Sequence, residues 1–259
     1  MKITTKINPV YFMSAILLLL LATSCTVFQS SKETAKAHYD EGLEFLQANE
    51  LDKAVESFSK AIELDPQLAV AYEDRGVAYD YLGNYEKAVI DYNQAIQLNP
   101  NSSTAYYNRA VVYYHWQRLD EALNDYAKAA ELNSTNVYAL INRADIFYSL
   151  GDYDYAVQEA TKAIEINTEA SDAYAIRASS YGRLGKFPEA FSDYEKALSL
   201  NPQNTELYIN RGIDFAIFGE LELALKDFEM YLELNPNSEN KEKIEGMIQQ
   251  LINDIAVGK

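Results

Sequence analysis

Five of the seven arginines in this chain recur at intervals of 34 residues, at Arg75, Arg109, Arg143, Arg177 and Arg211. Sixteen positions after each stands a carboxylate: Asp91, Asp125, Glu159, Asp193 and Asp227. Cations at such a spacing can line a track for an anionic ligand, or they can pair with carboxylates inside the protein. Each of these arginines has an acid of its own, and a paired charge does not recruit an anion. The pattern predicts a ladder of structural ion pairs. One period earlier the equivalent residues are Glu41 and Ser57, so no pair is predicted there.

Few other residues offer chemistry. His38 and His115 are the only histidines and Cys25 is the only cysteine, which leaves no disulfide and no zinc-ligand set. His38 falls at a position read as packing, and His115 lies beside Trp116. No Ser–His–Asp arrangement, phosphate-cradling glycine loop or HExxH-type motif is present. Acids such as Glu41 and Glu44 read as solvated helix residues. The chain is read as non-catalytic, without cofactor or metal. With 39 acids against 22 bases its formal net charge is -17, which argues against nucleic acid as a partner. Apolar residues make up 48% of the 259, enough for a folded core.

The spacing of 34 extends to the elements that must position these groups. Blocks 35–68, 69–102, 103–136, 137–170, 171–204 and 205–238 align without insertion or deletion. Position 8 of a block is always Gly or Ala: Gly42, Gly76, Ala110, Ala144, Ala178, Gly212. Position 20 is always Ala, and position 27 is Ala in the first five blocks, with Tyr231 in the last. Apolar positions 4, 8 and 11 share one helical face, and 20, 24 and 27 share another. Each block therefore predicts two antiparallel helices, brought close by small residues and filled by large ones. Gly83, Gly151, Gly185 and Gly219 at position 15 suit the left-handed end of the first helix. The acids at position 18 suit the start of the second, and Pro66, Pro100, Pro202 and Pro236 at position 32 are read as stopping it. From 239 to 259 a last helix is predicted, with Ile244, Met247, Ile248, Leu251, Ile252 and Ile255 on its apolar face. It would cap the last block, with partner or membrane docking as the alternative.

This pattern resembles the tetratricopeptide repeat, over about four-fifths of the chain. The resemblance implies an all-α, right-handed superhelical solenoid of six helix–turn–helix repeats with a capping helix. It also implies a concave groove, lined by positions 2, 5, 9, 12 and 13, in which partner peptides bind. Of the 21 tyrosines, thirteen fall at packing positions and six on that face: Tyr39, Tyr81, Tyr107, Tyr114, Tyr138 and Tyr148. The rest of the face is read as apolar or acidic, with Leu43, Val77, Val111, Ile141, Ile213, Glu73, Asp80 and Asp145. The basic clamp by which chaperone-binding relatives grip a terminal carboxylate is absent: those places hold Tyr39, Leu43 and Asp74.

Residues 1–24 read as a secretory signal, with Lys2 and Lys6 ahead of the apolar run from Ala15 to Ala22. The run Leu21-Ala22-Thr23-Ser24-Cys25 resembles the lipobox of bacterial lipoproteins, which implies cleavage before Cys25 and its acylation. The alternative is a plain cleavable signal with an incidental thiol. Residues 25–34 read as the lipidated cysteine and a polar tether. Loss of 1–24 removes two lysines and no acid, so the mature charge becomes -19. Thr26 in place of Asp favours the outer over the inner membrane by the rule of enteric bacteria.

The expected function is a lipid-anchored scaffold of the bacterial envelope that binds partner proteins, carrying basic and apolar residues, through the groove. The alternatives are a glycan or small-molecule receptor on the tyrosine-lined face, or structural self-association.

Overall fold

The computed structural model describes residues 31–258, so the segment read as a signal and Cys25 lie outside the described residues. Thirteen helices and no strand occur among them. They are α1 (31–47), α2 (Leu51–Leu64), α3 (Ala69–Tyr81), α4 (Tyr85–Leu98), α5 (Ser103–His115), α6 (Leu119–Leu132), α7 (Val137–Leu150), α8 (Tyr153–Ile166), α9 (Ser171–Arg183), α10 (Phe187–Leu200), α11 (Thr205–Phe218), α12 (Leu221–Leu234) and α13 (Lys241–Ala256). The fold is all-α, with two helices per 34-residue block. No helix among the described residues is long and apolar enough to cross a membrane. The chain forms two compact units, with the division after Ala122, inside α6.

In the first unit α3 packs on α2, α4 and α5. The cores are small residues around one ring: Ala54 and Ala78 with Phe58, then Ala88, Val89 and Val112 with Tyr92. In the second unit α7 packs on α8, α9 on α10, and α11 on α12. Tyr194 is enclosed by Ala178, Ala190, Ala197, Leu198 and Leu207. Phe228 and Tyr231 are covered by Ile244 and Leu251 of α13, with Met247 and Ile248 beside them. Ile252, read above as part of that apolar face, is 43% exposed and lies outside this cluster.

Two local features differ from the sequence reading. Positive φ occurs at position 15 of all six blocks, not only at the four glycines: Asn49 has φ 59° and Gln117 has φ 61°. In every block the amide of the next residue donates to the carbonyl of position 11, as in Glu50 to Phe45 (2.8 Å) and Arg118 to Tyr113 (2.8 Å). That bond requires the left-handed turn whatever the side chain. Asn tolerates it and Gln does not, so Gln117→Gly is expected to raise stability by about 1 kcal/mol, and Asn49→Gly by less. Chemical denaturation with an unchanged slope measures the gain.

The second helix ends at position 30 in all six blocks, including α6 and α8, which are followed by Ser134 and Thr168 instead of proline. The common stop is Asp or Asn at position 31. Its side chain accepts from the amide two residues on, in Asp65 to Gln67 (3.1 Å), Asn133 to Thr135 (3.1 Å) and Asn167 to Glu169 (3.0 Å). This local turn competes with helix continuation, so the proline is not needed to end it.

Candidate functional site

The recurrent arginines lie between the two helices of their blocks. Arg75 donates from Nε and Nη2 to both oxygens of Asp91, at 2.8 and 2.7 Å. Arg177 grips Asp193 the same way at 2.6 and 2.8 Å, and Arg211 grips Asp227 at 2.7 and 2.7 Å. Arg143 reaches Glu159 through Nη1 alone, at 2.7 Å, while Lys162 holds the other oxygen at 2.8 Å. Arg109 and Asp125 fall in different units; within its own unit Arg109 donates to Asn93 at 2.5 Å. The arginines also bind the preceding block: Arg75 donates to Ser59 (2.9 Å) and Arg177 to Thr161 (3.1 Å). Where Arg143 is concerned the equivalent residue is Ala127, and its buried Nε has no partner.

Four of the five guanidinium groups also lie against rings three residues before and four after them, while Arg143, with Leu140 before it, has only Phe147. Arg75 is 5.7 Å from the Tyr72 centroid and 5.9 Å from that of Tyr79, and Arg177 lies similarly between Tyr174 and Tyr181. Much of the tyrosine excess is thus cation–π packing rather than core. The first block reverses the charge. Glu41 accepts from Ser57 (3.1 Å) and lies 3.2 Å from His38 Nδ1. His38, read as a packing residue, is half-exposed and belongs to this polar cluster, because no guanidinium is there to be covered.

Both units carry a helix face opposite these pairs. In the first, Tyr81 is 69% exposed, Tyr114 is exposed, and Val77, Tyr107 and Val111 are half-buried. The Tyr39 hydroxyl donates to Asp74 at 2.7 Å. Burial and that acid raise the Tyr39 pKa, and burial also raises that of Asp74. Glu73 accepts from Ser102 at 3.0 Å, yet burial still holds its pKa above the ordinary range. Asp80 lies 3.0 Å from His115 Nδ1, which places His115 on this face.

In the second unit Tyr138 is 69% exposed, while Ile141, Asp145 and Tyr148 are half-buried. Asp145 and Tyr148 line a cavity of about 190 Å³, together with Ile176, Glu206 and Leu207. A second cavity of about 120 Å³ shares Tyr148, Ser179 and Asn210 with it and reaches Arg183, Tyr194, Ile213 and Asp214. The face is therefore not only apolar and acidic. Arg183 at position 13 and Ser179 at position 9 correct that reading, and Asn210 lines the cavities beside them. Asp214 is not evident from the repeat pattern because position 10 is a core position in the second to fifth blocks, held by buried Ala78, Val112, Ile146 and Ser180. The sequence carries a signal for it: an acid follows Ala78, Val112, Ile146 and Ser180 in that column, and Gly182 stands in the first helix of the repeat before it.

Tetratricopeptide-repeat family models match residues 103–136, 137–169 and 171–204, and a TPR repeat model matches 42–80 and 81–115. Together these span well over half of the chain. It belongs to the tetratricopeptide repeat family. The hairpin at 205–238 has the same two helices as the matched repeats. Among curated proteins none matches. Solved tetratricopeptide structures share the fold. YrrB, a TPR protein with an unusual peptide-binding site, is 22% identical with TM-score 0.62, over 74% of this chain and 99% of that one. Pseudomonas aeruginosa pilF is 18% identical with TM-score 0.71, over 84% and 99%. MamA is 22% identical with TM-score 0.60, over 67% and 95%.

Proposed function

We propose that this tetratricopeptide repeat protein is a lipid-anchored scaffold of the bacterial envelope, which holds partner proteins on the first-helix faces of its repeats. The observation that carries the reading is the exposure of Tyr81 and Tyr138, 69% each, beside acids on faces that the repeat leaves uncovered. Tyrosine offers large, stiff contact area at small entropic cost, and the acids favour partners with lysine or arginine among apolar residues. A fold relative described as having a peptide-binding site supports the same use. Photocrosslinkers placed at Tyr81 and Tyr138 in cells, with mass spectrometry of the adducts, test it. Capture of no protein from either position, with capture from the opposite face, removes the reading.

The anchor rests on Cys25 and the residues before it. Cys25→Ser is expected to abolish acyl labelling and move the protein from the detergent phase to the aqueous phase, since each buried methylene of a lipid chain contributes about 0.8 kcal/mol. Retention of the variant in detergent would indicate another anchor. Glycan binding is the second reading, favoured by a cavity of about 650 Å³ lined by Asn133, Asn136, Asn167 and Asn201 together with Tyr138. Aromatic–amide surroundings of this kind suit sugar hydroxyls. An oligosaccharide panel that leaves the spectrum of the protein unchanged dismisses it.

A further inference from the structure

We infer that the paired cavities of the second unit form a socket for one lysine side chain of a bound partner, with Asp214 as the counter-charge. The inference rests on the partner-binding reading above and names the chemistry that part of the face selects. Asp214 is 7% exposed at a position where the second to fifth repeats bury Ala78, Val112, Ile146 and Ser180, and where the first repeat has an exposed acid, Glu44. Space for it has been made: a Cβ on Gly182 would stand 2.0 Å from Asp214 Oδ2. The buried Tyr194 hydroxyl donates to the same oxygen at 2.9 Å and lies 3.3 Å from Ser179 Oγ. Ser179, Gly182 and Tyr194 of one repeat thus meet the carboxylate of the next at a cavity.

That carboxylate forms no ion pair among the described residues. Tyr148, Arg183 and Tyr194 are the titratable groups facing it. The Tyr194 hydrogen bond and the Arg183 charge favour its ionised form, yet burial outweighs both and its pKa is raised. A desolvated, under-neutralised acid in a cleft is a place where a ligand cation gains most. The outer cavity gives the stem of such a ligand its path, along Ile176, Leu207 and the Tyr148 ring, past Asp172 and Glu206. Those acids draw a cation in. Lysine fits better than arginine. One Asp214 oxygen is already taken by Tyr194, which suits a compact ammonium, not a guanidinium fork that needs both oxygens.

The test uses the full chain, titrated by NMR with N-acetyl-lysine methylamide and with its norleucine and arginine analogues. Saturable shifts at Tyr148, Ser179 and Asn210 are expected, with lysine about tenfold or more tighter than either analogue, a gap of about 1.4 kcal/mol. Asp214→Asn keeps the Tyr194 hydrogen bond and should remove the lysine preference. It should also melt higher at neutral pH. The raised native pKa means that the folded chain holds the proton more tightly, so wild-type stability falls as pH rises from the ordinary Asp value through the native one. Asparagine abolishes that fall. Equal binding of lysine and norleucine by the wild type overturns the inference even if the variant does not fold. So does an Asp214→Asn variant that keeps the preference. Either result leaves crosslinked partners at Tyr81 and Tyr138 unaffected, so failure of the socket is distinct from failure of the scaffold reading.

Discussion

Arg75→Ala is expected to destabilise the fold by about 3 kcal/mol, whereas Arg143→Ala costs markedly less. Breaking a buried pair by removing one partner costs about 3–5 kcal/mol, because the remaining charge stays desolvated. Asp91 is 3% exposed and loses both bonds at once, while Ser59 loses its donor and Tyr72 and Tyr79 lose the cation between them. The slight exposure of the Arg75 side chain, 18%, sets the cost at the low end. Glu159 in the fourth repeat is as deeply buried, but Lys162 remains on its other oxygen at 2.8 Å. Arg143 moreover has a buried Nε without a partner, a cost that the alanine removes. Urea unfolding of the two variants measures the difference. Equal losses would mean that the packing of the guanidinium on its rings, and not the pairing, sustains the repeats.

Phe228→Ala should cost about 3–5 kcal/mol, and it should reverse the sign of a second substitution, Gly212→Ala. The Phe228 ring is fully buried, under Ile244 and Leu251 of α13. A Cβ on Gly212 would stand 2.8 Å from its Cε1 atom, closer than real contacts allow. In the wild type, alanine there gains about 1 kcal/mol of helix propensity but forces a rigid ring to move, an overpacking cost of about 1–3 kcal/mol. A net loss of up to about 2 kcal/mol follows. With the ring gone the clash goes too, and the same alanine should stabilise the Phe228→Ala background. A double-mutant cycle with no coupling would show that the glycine answers to something other than the ring. Gly42 stands in the same relation to Phe58, at 2.5 Å, so the first repeat offers an independent repetition.

How much of this was legible without coordinates differs feature by feature. The two helices of each repeat were legible because their signals are local: small residues at positions 8 and 20, large ones at 11 and 24, recurring at 34. The same recurrence placed each arginine sixteen residues before its acid, and the six tyrosines on one helical face. The structure then changed what those residues do. Tyr72, Tyr79, Tyr174 and Tyr181 cover guanidinium groups because a residue three before and one four after an arginine lie on the same side of a helix. Gln117 is left-handed although nothing in its side chain asks for it, since the bond from Arg118 to Tyr113 fixes the turn.

The clearest division lies at Asp214. The sequence by itself determined that this acid stands where the four preceding repeats have Ala78, Val112, Ile146 and Ser180, and that Gly182 stands 32 residues before it. Only the tertiary structure decided that the two meet, that the Tyr194 hydroxyl turns toward them, and that cavities open beside them. The reason is physical. Periodicity within one helix says which way a side chain faces. The distance between side chains on successive helices depends on how far the small residues let those helices approach, a property of the packed repeats that no single segment carries.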